Sequence, residues 1–351
     1  MKPNKLHQAV VISLVSLIMV SCSKGGSSGG GGGATTAPQV TVNKTSIPAD
    51  GWETVTFTAK DQSNNDITTS CVFYVDNQII QGSSWWTNAS GTHTVKASRS
   101  GTESATVNIT ATSPGASPFS QKIIVEDYTG TWCGHCPRVG MNLETYLGAH
   151  PNMLVVADHG PSNDPYTFSG HALLASYFQI TGYPTAVVNR DFDWNENYSQ
   201  LDQQFINRRP PLGIAIQTSV SGNTITGTAK VKYDVNTSVP LKIVLYLVED
   251  GKVYPQVNYS YFGLPNPINN YTHNSILRKT MTGLYGDNLP AGSQTKGSTS
   301  DFNFTVDASG YDISKCRIVA FVVHGTNNQN RKENAVVNAQ TVKAGLNKDF
   351  D

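Results

Sequence analysis

The sequence predicts a multidomain chain in which one α/β domain stands between two all-β sandwiches, behind a leader and a flexible tether. Three observations carry this expectation. Short strands of period-two alternation recur before residue 113 and after residue 211, whereas strand and helix patterns alternate between them. The breaks fall at "TSPGASP" and at Pro210-Pro211, where turn residues interrupt the periodicity. A Gly/Ser tract, "SKGGSSGGGGGATTA", precedes the first strand and has no side chains able to form a core.

At the N-terminus, Lys2 and Lys5 precede an apolar run from Ala9 to Val20 that stops at Ser21-Cys22. This is a secretory signal over 1–21, too short to read as a spanning helix. The small residue before Cys22 resembles the lipobox of bacterial lipoproteins. That resemblance implies cleavage before Cys22 and lipid on its sulfur, so that the chain is tethered to a membrane; Ser23 rather than Asp at the next position implies the outer membrane, on its periplasmic face or at the cell surface. Residues 22–37 then lift the folded part off the bilayer.

Lysines plus arginines equal aspartates plus glutamates at 25 each, and no basic run stands out. Neither a nucleic-acid partner nor a polybasic membrane patch is therefore expected. The expected partners are proteins or small molecules, and no cofactor is implied. Roughly 310 residues follow the tether, enough for two or three separate cores.

From 38 to 113 the strands "QVTVNK", "TVTFTAKD", "CVFYVDNQII", "THTVKASR" and "SATVNITA" are separated by turns such as Asp76-Asn77. They predict a small antiparallel sandwich that acts as a spacer. Trp85 and Trp86 are read as one core and one partly exposed tryptophan, with a sugar-stacking platform as the alternative. The segment resembles the immunoglobulin-like modules of bacterial surface proteins.

Between 118 and 210 the order is strand (121–128), helix (135–150, with Val139, Leu143, Tyr146 and Leu147 inward) and strand (152–160). A second helix follows, with Leu173, Leu174, Tyr177 and Phe178 as its inner face. A loop-proline strand comes next, "TGYPTAVV", and then a helix over 198–209 that buries Leu201, Phe205 and Ile206. From 211 to 345 a hairpin around Ser221-Gly222-Asn223 and further strands predict a second sandwich. Residues 252–300 interrupt it with little strand pattern but many aromatics, so this insertion is expected to pack on something.

Of five cysteines, Cys71 and Cys316 sit in strand-like runs and read as small buried hydrophobes. Cys133 and Cys136 are different, because "DYTGTWCGHCPRVG" places them two residues apart at a strand-to-helix junction. A zinc site needs two further ligands at comparable spacing, and the other histidines and cysteines are scattered singly, so no metal is expected. A haem tether needs histidine directly after the second cysteine, where Pro137 stands. A redox pair has a physical cause at each position. Cys133 would occupy the helix N-terminus, where unpaired N–H groups stabilise a thiolate, and would be the attacking sulfur. Cys136, one turn inside and less exposed, would resolve the mixed disulfide. His135 between them would favour the thiolate form.

These residues resemble the thioredoxin superfamily: "TWCGHCP" matches its Trp-Cys-x-x-Cys signature and "GYPT" its cis-proline loop, over roughly 118–210. The resemblance implies that Tyr183-Pro184 is a cis bond facing the cysteines, that Trp132 and Tyr183 contact an extended substrate, and that Asp127 is a buried acid taking a proton from Cys136. An outward Asp127 with Glu126 in the inward part stays open. The Gly-His pair resembles protein disulfide isomerases, while Pro137 departs from the thioredoxin signature. As a whole, residues 118–345 resemble the Omp28 type of outer-membrane protein, with the first sandwich as an addition.

Two functions are expected from different classes. One is a membrane-anchored thiol-disulfide oxidoreductase or isomerase acting on the thiols and disulfides of exported proteins. The other is a non-enzymatic surface lipoprotein, an adhesin or assembly component, in which Cys133 and Cys136 form a static bridge. His273 and Arg278 of the insertion are candidates for shaping a groove near Cys133, with plain packing as the simpler reading. His159 reads as a surface-loop histidine near the expected active edge of the sheet.

Overall fold

The computed structural model describes residues 36–351 except 162, 207, 291, 293 and 328–331; the leader, Cys22 and most of the 22–37 tether lie outside them. Among the described residues no helix is long and apolar enough to cross a membrane.

The first alternating stretch forms nine short strands: β1 (Gln39–Val42), β2 (Ser46–Pro48), β3 (Val55–Lys60), β4 (Val72–Val75), β5 (Gln78–Ile80), β6 (Ser84–Trp85), β7 (Gly91–Arg99), β8 (Thr102–Glu103) and β9 (Val107–Thr112). They make two sheets, β1-β3-β6 and β2-β9-β7-β4-β5, with β8 on β7. Every second side chain of a strand faces the same way, so Val55, Phe57, Phe73, Val75, Val95 and Ala97 meet in one core. Asp76 and Asn77 turn the β4–β5 hairpin at φ 49° and 64°, which short polar side chains tolerate. Cys71 and Trp85 pack against this core, Trp85 edge-on to His93 at 4.8 Å, and Trp86 is half-buried.

The middle stretch gives β10 (Ile123–Thr129), α1 (Cys136–Ala149), β11 (Met153–His159), α2 (His171–Tyr177), β12 (Thr185–Val188), β13 (Phe192–Asp193) and α3 (Tyr198–Asp202). β10 pairs parallel with β11 and antiparallel with β12, and all seven of its residues are buried. Pro137 sits in the first turn of α1, where a missing N–H leaves no helical bond unmade. Val139, Leu143 and Tyr146 then face the sheet.

The other two helices are shorter than their periodicity suggests. α2 turns Leu174, Ala175 and Phe178 inward, while Leu173 and Tyr177 are 61% and 42% exposed. The buried stripe is rotated because His171, the first residue of α2, is drawn inward onto Asp158. α3 ends at Asp202, leaving Phe205 half-buried and Ile206 60% exposed beyond it.

The last stretch contains β14 (Leu212–Ser221), β15 (Thr224–Tyr233), β16 (Leu241–Glu249), β17 (Lys252–Gln256), β18 (Ile268–His273), β19 (Ile276–Thr280), β20 (Asp287–Asn288), β21 (Thr299–Asp307), β22 (Cys316–His324), β23 (Val336–Lys343) and β24 (Asn347–Lys348). Gly222 closes the β14–β15 hairpin at φ 56°. The insertion is more regular than its sequence suggests. β17 and β18 pair only with each other and expose most side chains, so no alternation marks them.

β19 is the joint of the molecule. Its Ile276 pairs in parallel with Ala157 of β11, and the strand runs antiparallel to β16 on its other edge. One nine-stranded sheet results, in the order β13-β12-β10-β11-β19-β16-β22-β23 with β20 on β16, and it continues across residue 211. One face carries α2 over a core from Ile124 and Val156 through Val244 to Phe321. The other face is divided. α1 and α3 cover Ile123, Val125 and Val188, and a four-stranded sheet, β21-β15-β14-β24, covers Ile243, Leu245 and Ile318. The molecule is therefore mostly β-sheet, with several sheets and few helices. Cys316 is buried on β22 and unbridged.

An ion pair lies inside the α2 face. Arg190 donates through Nε to Glu126 Oε2 at 2.8 Å, and through Nη2 to Glu126 Oε1 at 3.0 Å and to the Tyr246 hydroxyl at 2.6 Å. Both side chains are fully enclosed, and the guanidinium lies 5.2 Å from the Phe178 ring and 4.8 Å from the Phe321 ring. Removing one partner of such a pair strands the other charge in an apolar interior. Glu126→Ala should therefore lose about 3 kcal/mol or more in chemical denaturation. The double replacement Glu126→Leu with Arg190→Met should lose clearly less.

Candidate functional site

β10 ends at Thr129 and α1 begins at Cys136, so residues 130–135 form a turn with Cys133 in it. The Cys133 N–H donates to the Gly130 carbonyl at 3.1 Å and the Cys136 N–H to that of Cys133 at 3.2 Å. The turn brings the two cysteine Cα atoms to 5.4 Å and the sulfurs are bonded. Cys136, rather than Cys133, is the first helical residue. The expected contrast between an open attacking sulfur and a shielded one is absent, because Cys133 is 4% and Cys136 3% exposed.

The cover comes from the insertion. The Gln256 amide donates to the carbonyls of Gly130 at 3.1 Å and Cys133 at 3.0 Å. The Val257 N–H donates to the Thr131 carbonyl at 2.9 Å and the Tyr259 N–H to that of Gly134 at 2.8 Å. Residues 256–259 thus lie along the cysteine turn as an extended segment. A Cβ on Gly134 would stand 2.4 Å from the Tyr259 ring, so this close approach requires glycine between the cysteines. His135 is exposed but engaged, with Nδ1 2.8 Å from the Tyr261 hydroxyl and its ring edge-on to Tyr259. Asn258 ties the covering loop together. Its amide donates to the carbonyls of Leu264 at 3.1 Å and Tyr261 and Pro265 at 3.3 Å, and its Oδ1 accepts from the Tyr261 N–H.

The Tyr183-Pro184 peptide is cis. Tyr183 meets Trp132, the residue before Cys133, with ring centroids 5.4 Å apart, and Trp132 Nε1 donates to the Gly160 carbonyl at 3.0 Å. Behind Tyr183, the His171 ring bridges its hydroxyl (Nε2, 2.6 Å) and the buried Asp158 carboxyl (Nδ1, 3.1 Å). Burial pushes the Asp158 carboxyl up, and the His171 contact opposes that rise.

Asp127 and Glu126 point to opposite faces of β10, as the period-two rule requires. Glu126 takes Arg190, whereas Asp127 faces the α1 side and lines a cavity together with Cys136. Its Oδ1 has no hydrogen-bond partner, and burial, helped by the Asp158 charge, pushes its carboxyl up to about 7.

His159 is not a surface-loop residue. It ends β11 at 2% exposure, with Nδ1 3.2 Å from Asp164 Oδ1. Asp164 also accepts from the Thr131 and Tyr166 N–H groups, and the contacts together hold its carboxyl down at about 2 despite burial. His273 packs edge-on to His159 at 5.5 Å, and burial followed by that neighbour lowers it to about 4. Arg278 is held on Glu249 at 2.8 Å, 4.8 Å from the Tyr166 ring and 5.2 Å from the Tyr311 ring. Among the described residues no three of His, Cys, Asp and Glu converge as metal ligands.

Sequence reasoning did not reach Asp158, His171, Gln256 or Asn258. Asp158 carried a signal, an acid inside the apolar "LVVADHG" strand. Gln256 and Asn258 carried none, because their partners are backbone carbonyls that only the folded chain assembles.

An acid held up by burial destabilises the fold once the unfolded chain has lost that proton. For Asp127 the penalty is absent below the ordinary carboxyl value of 3.8, grows between about pH 4 and pH 7, and is constant above. It amounts to about 4 kcal/mol. Thermal melts of Asp127→Asn should show a variant more stabilised relative to the parent at pH 8 than at pH 4. A difference that shrinks as pH rises would contradict the assignment.

No curated protein matches the sequence. Among solved structures, the chain is similar to HBP35 of Porphyromonas gingivalis, at 18% identity and TM-score 0.54 over 65% of this chain and 76% of that one; the likeness is one of fold. The Yersinia pseudotuberculosis adhesin InvE aligns at 12% identity over 89% of this chain and 61% of that one, with a TM-score of 0.20 that carries no argument. The family described as "Outer membrane protein Omp28" matches residues 171–348, from α2 to the last strand and therefore downstream of the cysteine pair. That span is half of the chain, and the protein belongs to the Omp28 outer membrane protein family, which supports a place in the outer membrane or cell envelope.

Proposed function

We propose that the protein is a non-enzymatic outer-membrane lipoprotein, a surface adhesin or assembly component, in which a thioredoxin-like domain over 118–210 serves as scaffold and Cys133–Cys136 is a static bridge. The observation that carries this reading is the cover. Both cysteines are buried, and residues 256–259 bond the turn's carbonyls, donating to those of Gly130, Thr131, Cys133 and Gly134. Thiol–disulfide exchange needs a thiolate to reach a sulfur, and a protein substrate meets the insertion instead. Lipid on Cys22, the 22–37 tether and an immunoglobulin-like spacer over 38–113 would hold this scaffold away from the bilayer.

A second reading is favoured by one observation, the Asp127 carboxyl, whose Oδ1 has no partner and which lines the same cavity as Cys136. In it the protein is a thiol-disulfide oxidoreductase or isomerase for exported proteins. A substrate thiolate attacks the Cys133 sulfur of the bridge and releases the Cys136 thiolate, which takes a proton from Asp127. A second substrate thiolate then attacks the mixed disulfide and frees the Cys133 thiolate, so that the substrate leaves with a new disulfide and its two electrons stay on the reduced pair; in the reverse direction Asp127 takes the proton of Cys136. Trp132, Tyr183 and the Pro184 loop would hold the substrate strand and His135 would favour the Cys133 thiolate, after residues 256–261 had moved away.

Reduction kinetics separate the two. The static bridge should withstand millimolar dithiol for hours in the folded protein, and Asn258→Ala, which loosens the cover, should speed reduction at least tenfold. An exchanging pair should instead be reduced within minutes, show a Cys133 thiol that alkylates faster than glutathione at pH 6, and have a potential above about −230 mV. For the anchor, Cys22→Ala should move the protein from the membrane fraction to the soluble fraction and abolish labelling by radioactive palmitate.

A further inference from the structure

A cavity of about 550 Å³ lies between α1, β11 and the β17–β18 hairpin. Its volume is that of a small-molecule site. α1 contributes Cys136, Gly140, Glu144 and Leu147, a single stripe at helical spacing, and β11 contributes Met153, Leu154, Val155, Ala157 and His159. At the centre of the stripe stands a glycine. A Cβ on Gly140 would come to 3.2 Å from the Tyr271 hydroxyl, so a side chain there would project into the space.

Most of the wall surface is apolar, and Arg317, Asp250 and Glu144 are hydrogen-bonded to protein groups. Arg317 is spent on Asp250 at 3.2 Å, the Val155 carbonyl and Ser275, while Glu144 sits on Asn274 at 2.7 Å. His273 is buried and held neutral. The exception is Asp127, 4% exposed, with Oδ1 lacking any partner. A buried polar atom without a partner is unfavourable by about 1–3 kcal/mol, and a ligand atom at that point would relieve it. Because burial holds the carboxyl protonated to about pH 7, it offers an O–H to an acceptor, while the largely apolar walls penalise the desolvation of an anion.

We propose that this cavity is a binding site for a small neutral, largely apolar molecule whose carbonyl oxygen accepts a hydrogen bond from Asp127. The site stands whether or not the neighbouring bridge exchanges, and so goes beyond either reading of function.

The test is equilibrium dialysis of the full chain at pH 6, with the same detergent on both sides, using 2-acetylnaphthalene as the neutral ketone and 2-naphthoate as its anionic counterpart. One ketone per chain should bind, with 2-naphthoate at least tenfold weaker. Gly140→Leu should reduce ketone binding at least tenfold. Asp127→Leu should do the same while leaving naphthalene, which has no carbonyl, unaffected. Equal binding of ketone and carboxylate, no ketone binding at all, or undiminished ketone binding by either variant with the parent's melting temperature would overturn the proposal. Should Gly140→Leu fail to fold, Asp127→Leu and the ligand pair decide the matter.

Discussion

The pairing of β19 between β11 and β16 is the constraint on which the rest of the structure depends. Ile276 meets Ala157, the Ala157 N–H donates to the Ser275 carbonyl at 2.7 Å, and residues 276–280 run along β16. This short strand joins the α/β stretch to the C-terminal strands, so that a single hydrophobic layer, from Ile124 to Phe321, lies under α2. Its chain neighbours inherit their positions from it. β18 ends three residues before β19 begins, and the β17–β18 hairpin is consequently held beside α1 and over the cysteine turn.

From that placement the state of the bridge follows. Backbone donors of residues 257 and 259 reach the carbonyls of Thr131 and Gly134, and Gln256 completes the set. A segment of the same chain, present at high effective concentration, competes strongly with any partner for these carbonyls. Burial of Cys133 is a consequence of topology rather than of the Cys-Gly-His-Cys sequence itself.

Opposite faces of β10 carry opposite electrostatic solutions. On the α2 face Glu126 is paired with Arg190, and the Tyr246 hydroxyl also bonds its carboxylate. On the α1 face Asp127 has no cation, and burial keeps its proton instead. One residue of displacement along the strand separates a structural ion pair from an unpartnered acid bordering a cavity.

The sequence by itself determined the local elements and the cysteine pair. Alternation marked the first sandwich and the long strands β14, β15, β16, β21, β22 and β23, helical spacing marked α1, and Cys-x-x-Cys before a helix allowed a bridge. These are legible because each depends on residues near one another in the chain. Tertiary structure decided the inner stripe of α2, which His171 rotates, and the burial of His159. It also decided the choice between Asp127 and Glu126, and the cover over Cys133. Each of these depends on groups far apart in sequence: Glu126 on Arg190, Asp127 on the cavity under Tyr271, and Cys133 on Gln256. No local pattern encodes which distant backbone carbonyl an amide will meet, and β18, "INNYTH", exposes Asn269, Asn270 and Thr272 and buries His273 without regular alternation. Only the closed sheet brings those residues to the cysteine turn.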